Sequence, residues 1–323
     1  SVGYNPDTTN SGSYGTWSIG SSMNTGRKEL ASAKASSQDA ALVFGGHQTS
    51  SVWPYYCATK KTEEFDGTSW STVNVLITSR NHLSGAGTQN AALAMGSYGP
   101  TTTCTEEWNG STWAVGGALS LARGIKSISA GSVNAAIFAG GRAGPNMYTA
   151  TEHYNGISWS DGGSLTTGKV SSTSMGVENA VLATGGSGGT PANLTVEYNG
   201  INWISGPNVA TSREALEGAG SQNAAAVFGG SPAANNGKCT EEYNGTSWTN
   251  SAAAVTGTHS SAGGGTNSQG IMAGGHDDAI HMSCTQLYNG GTFHGTLSAW
   301  SVSGALITGR QAQGVAGIQN AAL

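Results

Sequence analysis

A tryptophan recurs along the whole chain at a nearly regular spacing, and this spacing limits the folds that the chain can adopt. Successive members of the series lie 43 to 53 residues apart. They are Trp17, Trp70, Trp113, Trp159, Trp203, Trp248 and Trp300. A repeat of about 40–50 residues is typical of the blades of a β-propeller, in which each blade is a four-stranded sheet.

Each repeat divides into four short strands, most clearly over residues 213–248. A small apolar strand ends in Gly229-Gly230, and a later strand leads into the turn pair Asn244-Gly245. Asparagine followed by glycine between two β-type segments is a strong hairpin signal, because both residues tolerate the positive φ of a type I′ turn. The tryptophan opens the last strand of the unit. The sequence therefore predicts an all-β fold of four-stranded blades.

The two ends of the chain carry the halves of a seventh copy. Residues 311–323 match the first strand and most of the second, and residues 1–19 supply the third and fourth strands. Joining them predicts a seven-bladed ring that is closed when the N-terminal strands complete the C-terminal blade, which removes the free edges. We expect one domain over residues 1–323. Because other copies continue further, we also expect the chain to be a piece of a longer protein.

The combined motif resembles the kelch repeat, which forms β-propellers. The shared features are apolar residues followed by Gly-Gly, an aromatic residue and a tryptophan that flank a turn, and a basic residue that opens the next unit. The segments TEEYNGTSW, GALITGR and GAGTQNAAL also resemble repeats in structural and tail-fibre-type proteins of marine tailed bacteriophages, including cyanophages. The second resemblance implies a structural protein of a virion. A propeller fold alone does not determine function.

Two charged repeat positions are predicted to pair within one blade. Ten residues after the tryptophan comes an arginine, and the same blades carry a glutamate two residues before the hairpin aromatic. The predicted pairs are Arg27 with Glu63, Arg80 with Glu106, Arg123 with Glu152, and Arg213 with Glu241. Where the opening residue is Lys169 or Thr258, the acid is also replaced. We expect guanidinium–carboxylate distances of ~2.7–3.0 Å; in the alternative, arginine binds backbone carbonyls and glutamate faces solvent.

The composition argues against several classes of function. Only 10% of the residues are charged and the net charge is −5, so no basic surface for nucleic acid is expected. No apolar segment approaches the ~18–20 residues of a membrane span. The sequence contains no Ser/His/Asp motif, phosphate-binding glycine loop or Cys-x-x-Cys. We therefore expect no catalytic residue and no cofactor, and we do not expect an enzyme.

One loop carries a weak metal-binding pattern. His276, Asp277 and Asp278 are followed by His281 and Cys284. Side chains of these types bind divalent metals when a loop brings them together. A polar connection between two strands of one blade explains the same residues more simply, so the sequence predicts no metal site.

The loops between the second and third strands vary most, and we expect them to share one face of the disc. The longest spans residues 47–61, and an equivalent loop lies two blades later. The binding candidates in these two loops are Trp53, Tyr55, Tyr56, Met147 and Tyr148. Exposed aromatic residues on the loops of a rigid scaffold are typical of glycan or protein contacts. In the alternative, these side chains pack on their own blades.

Together, these patterns predict a non-enzymatic structural or adhesion module of a virion or extracellular appendage. Its expected partners are other virion or appendage proteins, or a host-surface glycan or protein. Two lengthened hairpins on the opposite face, residues 5–15 and 289–299, are alternative docking points. Two other classes stay open: an extracellular carbohydrate-active enzyme, which convergent carboxylates at the axial mouth would support, and an intracellular kelch scaffold, which an attached adaptor domain would support.

Overall fold

The structure, a computed structural model, describes residues 15–49, 56–98, 101–188, 192–231 and 237–290. These residues form six four-stranded antiparallel sheets, here called blades 1–6, and two small hairpins. All six blades belong to one compact unit, Tyr14–Gly291. The prediction of one domain over residues 1–323 extends beyond this unit and stays a prediction. Among the described residues, none belongs to a helix of the length and hydrophobicity needed to cross a membrane.

The strands are numbered in chain order, and β1 (Thr16–Gly20) is the outer strand of the last blade. Blade 1 contains β2 (Ala31–Ser32), β3 (Ala41–Phe44), β6 (Thr62–Phe65) and β7 (Trp70–Val73). Blade 2 contains β8 (Ser84–Thr88), β9 (Ala91–Met95), β10 (Thr105–Trp108) and β11 (Trp113–Val115). Blade 3 contains β12 (Ile128–Ser132), β13 (Ala135–Ala139), β16 (Thr151–Tyr154) and β17 (Trp159–Asp161).

The remaining three blades repeat this order. Blade 4 contains β18 (Thr173–Val177), β19 (Ala180–Thr184), β20 (Thr195–Tyr198) and β21 (Trp203–Gly206). Blade 5 contains β22 (Glu217–Gly220), β23 (Ala225–Phe228), β24 (Thr240–Tyr243) and β25 (Trp248–Asn250). Blade 6 contains β26 (Ala262–Gly265), β27 (Gln269–Ala273) and β28 (Thr285–Asn289), with β1 outside them.

Two hairpins extend the connections between the second and third strands. In blade 1, β4 (His47–Thr49) pairs with β5 (Tyr56–Ala58). In blade 3, β14 (Arg142–Ala143) pairs with β15 (Asn146–Met147). We call the face of the propeller that carries these connections the loop face.

The prediction of seven blades is wrong for the described residues, which form six. In blades 1–5 the third-strand aromatic and the tryptophan lie five residues apart and pair across a tight turn, as Phe65 and Trp70 do. After Tyr288 the next tryptophan comes twelve residues later, and Trp17 of β1 pairs with Tyr288 instead. The N-terminal strand therefore completes blade 6. The predicted partner, residues 311–323, and the hairpins at residues 5–14 and 291–299 lie outside the described residues.

In the part of the chain that the structure describes, the tryptophan on the outer strand of each blade joins that blade to the preceding one. Its ring lies 4.9–5.4 Å, centroid to centroid, from the aromatic residue on the neighbouring strand. In five blades the indole Nε1 also donates to a threonine Oγ1 at the start of the preceding blade's third strand, at 2.9–3.1 Å. These donors are Trp17, Trp70, Trp113, Trp159 and Trp203, and Trp248 donates to the Pro207 carbonyl. The repeated tryptophan thus stabilises the contacts between blades.

Around the axis, six backbone hydrogen bonds connect every blade to the one before it. Each blade opens with the residue ten positions after a tryptophan: Arg27, Arg80, Arg123, Lys169, Arg213 or Thr258. The residue two positions later donates its N–H to the carbonyl of the equivalent residue in the preceding blade, at 2.7–3.1 Å. The six residues are Glu29, His82, Ile125, Ser171, Ala215 and Ser260, and the bond from Glu29 to Ser260 completes the cycle. All six are non-glycine residues with φ between 49° and 68°. The innermost strands also contact one another in the same cyclic order.

All four expected arginine–glutamate pairs are present inside their blades. The nitrogen–oxygen distances are 2.7 Å for Arg27–Glu63, 2.8 Å for Arg80–Glu106, 2.5 Å for Arg123–Glu152 and 3.1 Å for Arg213–Glu241. Both side chains of every pair are buried. Each guanidinium also donates to backbone carbonyls, and each glutamate accepts from a backbone N–H at 2.7 Å. Arginine therefore binds both partners proposed from the sequence, and glutamate does not face solvent.

The two exceptional blades replace the ion pair with neutral or single-charge contacts. In blade 4, Lys169 Nζ donates to the Leu194 carbonyl at 3.0 Å, and burial lowers the pKa of Lys169 to about 8. In blade 6, the Gln286 amide both accepts from and donates to the backbone of Thr256 at 2.9 Å. Gln286 thus reproduces the glutamate's bond to the main chain without a charge. The backbone of the repeat therefore folds with or without the ion pair.

Replacing Trp17 by alanine tests the assignment of β1 to blade 6. The ring is half-buried and lies 5.0 Å from Tyr288 and 5.2 Å from Phe228. We expect Trp17→Ala to lower the free energy of unfolding by about 3 kcal/mol, since the ring leaves a cavity between two blades. Ile19→Ala, on the same strand but 56% exposed, should change it by less than about 0.5 kcal/mol. Equal effects in chemical denaturation would contradict the pairing of β1.

A double-mutant cycle tests the buried ion pair of blade 2. Arg80→Thr alone leaves the Glu106 carboxylate buried without a cation and should cost about 3 kcal/mol of unfolding free energy. Adding Glu106→Gln reproduces the residues of blade 6 and should restore at least about 1 kcal/mol. Chemical denaturation of the wild type, both single variants and the double variant measures the coupling. Additive losses would show that the two side chains do not stabilise each other.

Candidate functional site

Histidines are concentrated in one sector of the loop face. The chain contains seven, and five of them lie on the adjacent blades 6, 1 and 2. These five are His259, His276, His281, His47 and His82. Four of the five come one or two residues after a blade's opening residue, or directly after its Gly-Gly pair. Because backbone bonds join those two segments of one blade, the side chains gather near the axial mouth.

Glu29, His47 and His82 form a compact group that we call cluster 1. The Oε2 atom of Glu29 lies 2.5 Å from His47 Nδ1 and 3.1 Å from His82 Nδ1. Asn81 connects the two imidazoles, because its Nδ2 lies 2.6 Å from His47 Nε2 and its Oδ1 lies 3.0 Å from His82 Nδ1. The three side chains are 13–25% exposed. Cluster 1 is therefore a hydrogen-bonded network within reach of solvent.

His259, His276 and Asp278 form a second group, cluster 2, on blade 6. His259 Nε2 lies 3.0 Å from Asp278 Oδ1, whereas His276 Nδ1 accepts the backbone N–H of Asp278 at 3.1 Å. Asp278 is 48% exposed, so this group is more open than cluster 1. The rings of His276 and His281 pack edge to face, 5.5 Å apart. In both clusters the donor atoms of the three residues lie within 4.8 Å of one another.

Burial and neighbouring charges set the protonation of these groups. Burial lowers the pKa of His82 to about 4, although the Glu29 charge opposes this shift. Burial, assisted by Lys28, likewise lowers the pKa of His281 to about 4 and that of His276 below its ordinary value. For Glu29, burial favours the neutral form, but the His47 hydrogen bond and the charges on nearby histidines and Lys28 outweigh it and lower the pKa. Near pH 7 the sector thus combines the Glu29 carboxylate with neutral imidazoles at His82, His276 and His281.

The axial channel beneath these clusters is filled by side chains. Lys126 reaches from blade 3 to Glu217 of blade 5 and to the Ser261 carbonyl of blade 6. Lys34 reaches from blade 1 to Ser174 Oγ on the opposite blade at 3.1 Å, and burial lowers its pKa to about 8. The cavity between them has a volume of about 20 Å³, enough for roughly one water molecule. A ligand of metabolite size cannot enter the axis here.

The structure only partly locates the binding residues predicted from the loops. Trp53 and Tyr55 lie outside the described residues, and Tyr56 is the first residue of β5. Met147 ends β15 and is 40% exposed, and it lies against Gly168 and Gly188 at the loop face of the next blade. Tyr148 is half-buried, and its N–H donates to the Gly141 carbonyl. Met147 thus combines exposure with packing on a neighbouring blade.

The loop pattern at residues 276–284, from which the sequence predicts no metal site, supplies two residues of cluster 2, and sequence reasoning missed the rest. His276 and Asp278 do approach each other, but their partner is His259. Asp277 instead accepts the backbone N–H groups of Ala279 and Ile280 and shapes a turn. Cluster 1 was not predicted at all. Its signal was present, because a histidine follows the Gly-Gly pair only in blades 1 and 6.

The described residues define a class of protein, a β-propeller built from repeated blades. No protein-family model matches the chain, and no curated protein matches it either.

The low pKa of His82 predicts a loss of stability in mild acid. Its folded pKa of about 4 lies below the ordinary value of 6.5, so the unfolded chain takes up protons first as the pH falls from 6.5 to 4. The free energy of unfolding should therefore decrease over this range, by at most about 1.4 kcal/mol per pH unit for one group. Denaturation at several pH values in a chelating buffer measures the slope.

The variant His82→Asn should show a smaller slope, since asparagine does not titrate there and tolerates the left-handed backbone of this position. His153→Asn is the matched control, because His153 bonds to Glu178 and Tyr198 outside both clusters. A slope that is the same in wild type and His82→Asn would contradict the assignment.

Proposed function

We propose that the propeller is a non-enzymatic binding module that contacts its partner through the loop face. One observation carries this proposal: the six blades share the same four strands and five of them share one type of turn, whereas the residues at the loop face differ. The positions near the axial mouth hold Glu29 and His82 in two adjacent blades but Ile125, Ser171 and Ala215 in the next three. A unique specificity requires positions that differ between copies.

The opposite face supports the same reading because its turns are nearly identical. In five blades the first residue of the Asn-Gly or Asp-Gly turn accepts the N–H groups two and three residues later through its Oδ1, at 2.7–3.0 Å. These residues are Asp66, Asn109, Asn155, Asn199 and Asn244. Repeated turns with the same internal bonds stabilise the scaffold, and they give these five blades nearly the same surface on the opposite face.

The interior supports binding at the surface rather than catalysis in a cleft. Small-molecule sites are usually pockets of roughly 300–1,000 Å³, whereas the cavities along this axis measure about 20 and 30 Å³. Four glutamates are committed to buried ion pairs, and Glu217 binds Lys126 inside the channel. A broad protein or glycan partner on the loops fits this geometry better than a small substrate does.

The class of partner rests on the resemblance of the repeats. The repeat motif resembles the kelch repeat, and the segments TEEYNGTSW and GAGTQNAAL resemble repeats of phage structural and tail-fibre-type proteins. We therefore propose a virion or extracellular appendage protein that assembles with other virion or appendage proteins, or binds a host-surface glycan or protein. The hairpin that begins with His47 carries the predicted aromatic contacts, and that of blade 3 carries Met147.

Matched variants of the two faces test the proposal. The loop-face variant replaces Trp53, Tyr55 and Tyr56 by serine. The control makes the same replacement at Ile157 and Ile201, which are 80% and 71% exposed on the turns of the opposite face. Labelled protein is applied to a glycan array and to whole bacterial cells. We expect the loop-face variant to lose roughly tenfold or more in binding, as when aromatic anchors are removed from an interface, with its melting temperature unchanged. The control should bind as the wild type does.

Three results would overturn or redirect the proposal. A folded loop-face variant that binds normally would exclude these aromatic residues as the contact. Loss of binding only in the Ile157/Ile201 control would place the interface on the opposite face. Turnover of an arrayed glycan by the wild type would establish an enzyme.

A further inference from the structure

We propose that Glu29, His47 and His82 bind a divalent transition-metal ion, with zinc the best match. The proposal does not depend on the partner suggested above. It rests on the geometry of cluster 1 and on the way in which the fold holds its three residues. It also rests on a comparison between blades, since the positions equivalent to Glu29 and His82 carry no metal-binding side chain in blades 3–6.

The three side chains carry the donor set of a known type of zinc site. Zinc is bound by two histidines and one glutamate in several enzymes, with metal–nitrogen and metal–oxygen distances of roughly 2.0–2.2 Å. Ligand atoms at these distances in a tetrahedron lie about 3.3–3.5 Å apart. In cluster 1, the Oε2 atom of Glu29 is already 2.5 and 3.1 Å from the two Nδ1 atoms. Each of these two distances needs to lengthen by about 1 Å or less to reach the tetrahedral spacing.

The fold holds these ligands in place through the main chain. Glu29 and His82 are consecutive members of the axial cycle, and the His82 N–H donates to the Glu29 carbonyl at 3.0 Å. His47 opens β4 and forms two backbone bonds with Lys28, at 2.7 and 3.1 Å. The position of each ligand is therefore set by bonds that exist without the metal. Rigid positioning of this kind favours a metal site over a flexible surface cluster.

Coordination through both Nδ1 atoms requires Asn81 to move, because its Oδ1 lies 3.0 Å from His82 Nδ1. Each imidazole then carries its proton on Nε2 and stays neutral. His47 Nε2–H then needs the Asn81 amide oxygen in place of its nitrogen, so the Asn81 side chain must turn toward His47 and away from His82 Nδ1. Lys28 lies 3.9 Å from the other carboxylate oxygen, Glu29 Oε1, and leaves Oε2 to the ion. Because the ligands are 13–25% exposed, solvent and an ion can reach the cluster.

Cluster 2 is the matched comparison within the same molecule. It also contains two histidines and a carboxylate, but the Asp278 carboxylate is 48% exposed, whereas that of Glu29 is 13% exposed. We therefore expect tight binding at cluster 1 and not at cluster 2. Occupation of cluster 1 would also tie the first residue of the β4–β5 hairpin to the axial cycle, and so would stabilise the base of that hairpin.

Metal titration of the whole chain tests the proposal. Protein stripped with a chelator is titrated with Zn²⁺ by calorimetry and with Co²⁺ by visible absorption. We expect one ion per chain, a tetrahedral or five-coordinate Co²⁺ spectrum, and a melting temperature that rises with zinc. Crystals soaked in zinc should show anomalous scattering between Glu29, His47 and His82.

Variants in the two clusters show which residues bind the zinc ion. His82→Asn, in which asparagine tolerates the left-handed backbone, should weaken zinc binding by roughly tenfold or more, and so should the nearly isosteric Glu29→Gln. His276→Asn in cluster 2 should leave it unchanged. The proposal is wrong if the wild type binds no zinc, if both cluster 1 variants bind as the wild type does, or if His276→Asn abolishes binding. Circular dichroism confirms that each variant is folded.

Discussion

The cycle of six backbone hydrogen bonds around the axis is the constraint on which the rest of the structure depends. Each blade donates one N–H to the blade before it, and each donor residue adopts a left-handed backbone. For a non-glycine residue that conformation costs roughly 1–2 kcal/mol, comparable to the ~0.5–1.5 kcal/mol that a hydrogen bond contributes. The cycle therefore adds little net stability, but it sets the distance and the angle between neighbouring blades.

Within each blade, buried polar contacts join the segment that enters the blade to its later strands. The guanidinium of each Arg–Glu pair binds carbonyls at the end of the second strand and the start of the third, and its glutamate binds the segment that precedes the arginine. The ion pair thus connects the entry of a blade to its middle. Since Gln286 makes the same backbone contact without a charge, the requirement is for a buried hydrogen-bonding group, and the ion pair is one solution.

The same geometry explains why chemistry-bearing side chains collect at the loop face. The left-handed positions of the cycle and the residues after each Gly-Gly pair lie around the axial mouth, and their side chains are not needed for the scaffold. Blades 3, 4 and 5 hold small or apolar residues at the cycle, whereas blades 1 and 2 hold Glu29 and His82. The repeated scaffold therefore carries cluster 1 on one side of the axis only. His47 connects this cluster to the β4–β5 hairpin in the longest loop.

The sequence by itself determined the period, the four strands of each blade and the Arg–Glu pairs, because these depend on residues that recur at set intervals. It did not determine the number of blades. That number depends on which strand pairs with the outer edge of β28. The chain after β28 could supply it through a hairpin longer than those of blades 1–5, but β1 supplies it instead. Cluster 1 was also decided by tertiary structure, since Glu29 and His82 lie 53 residues apart and meet only because their blades are neighbours in the axial cycle.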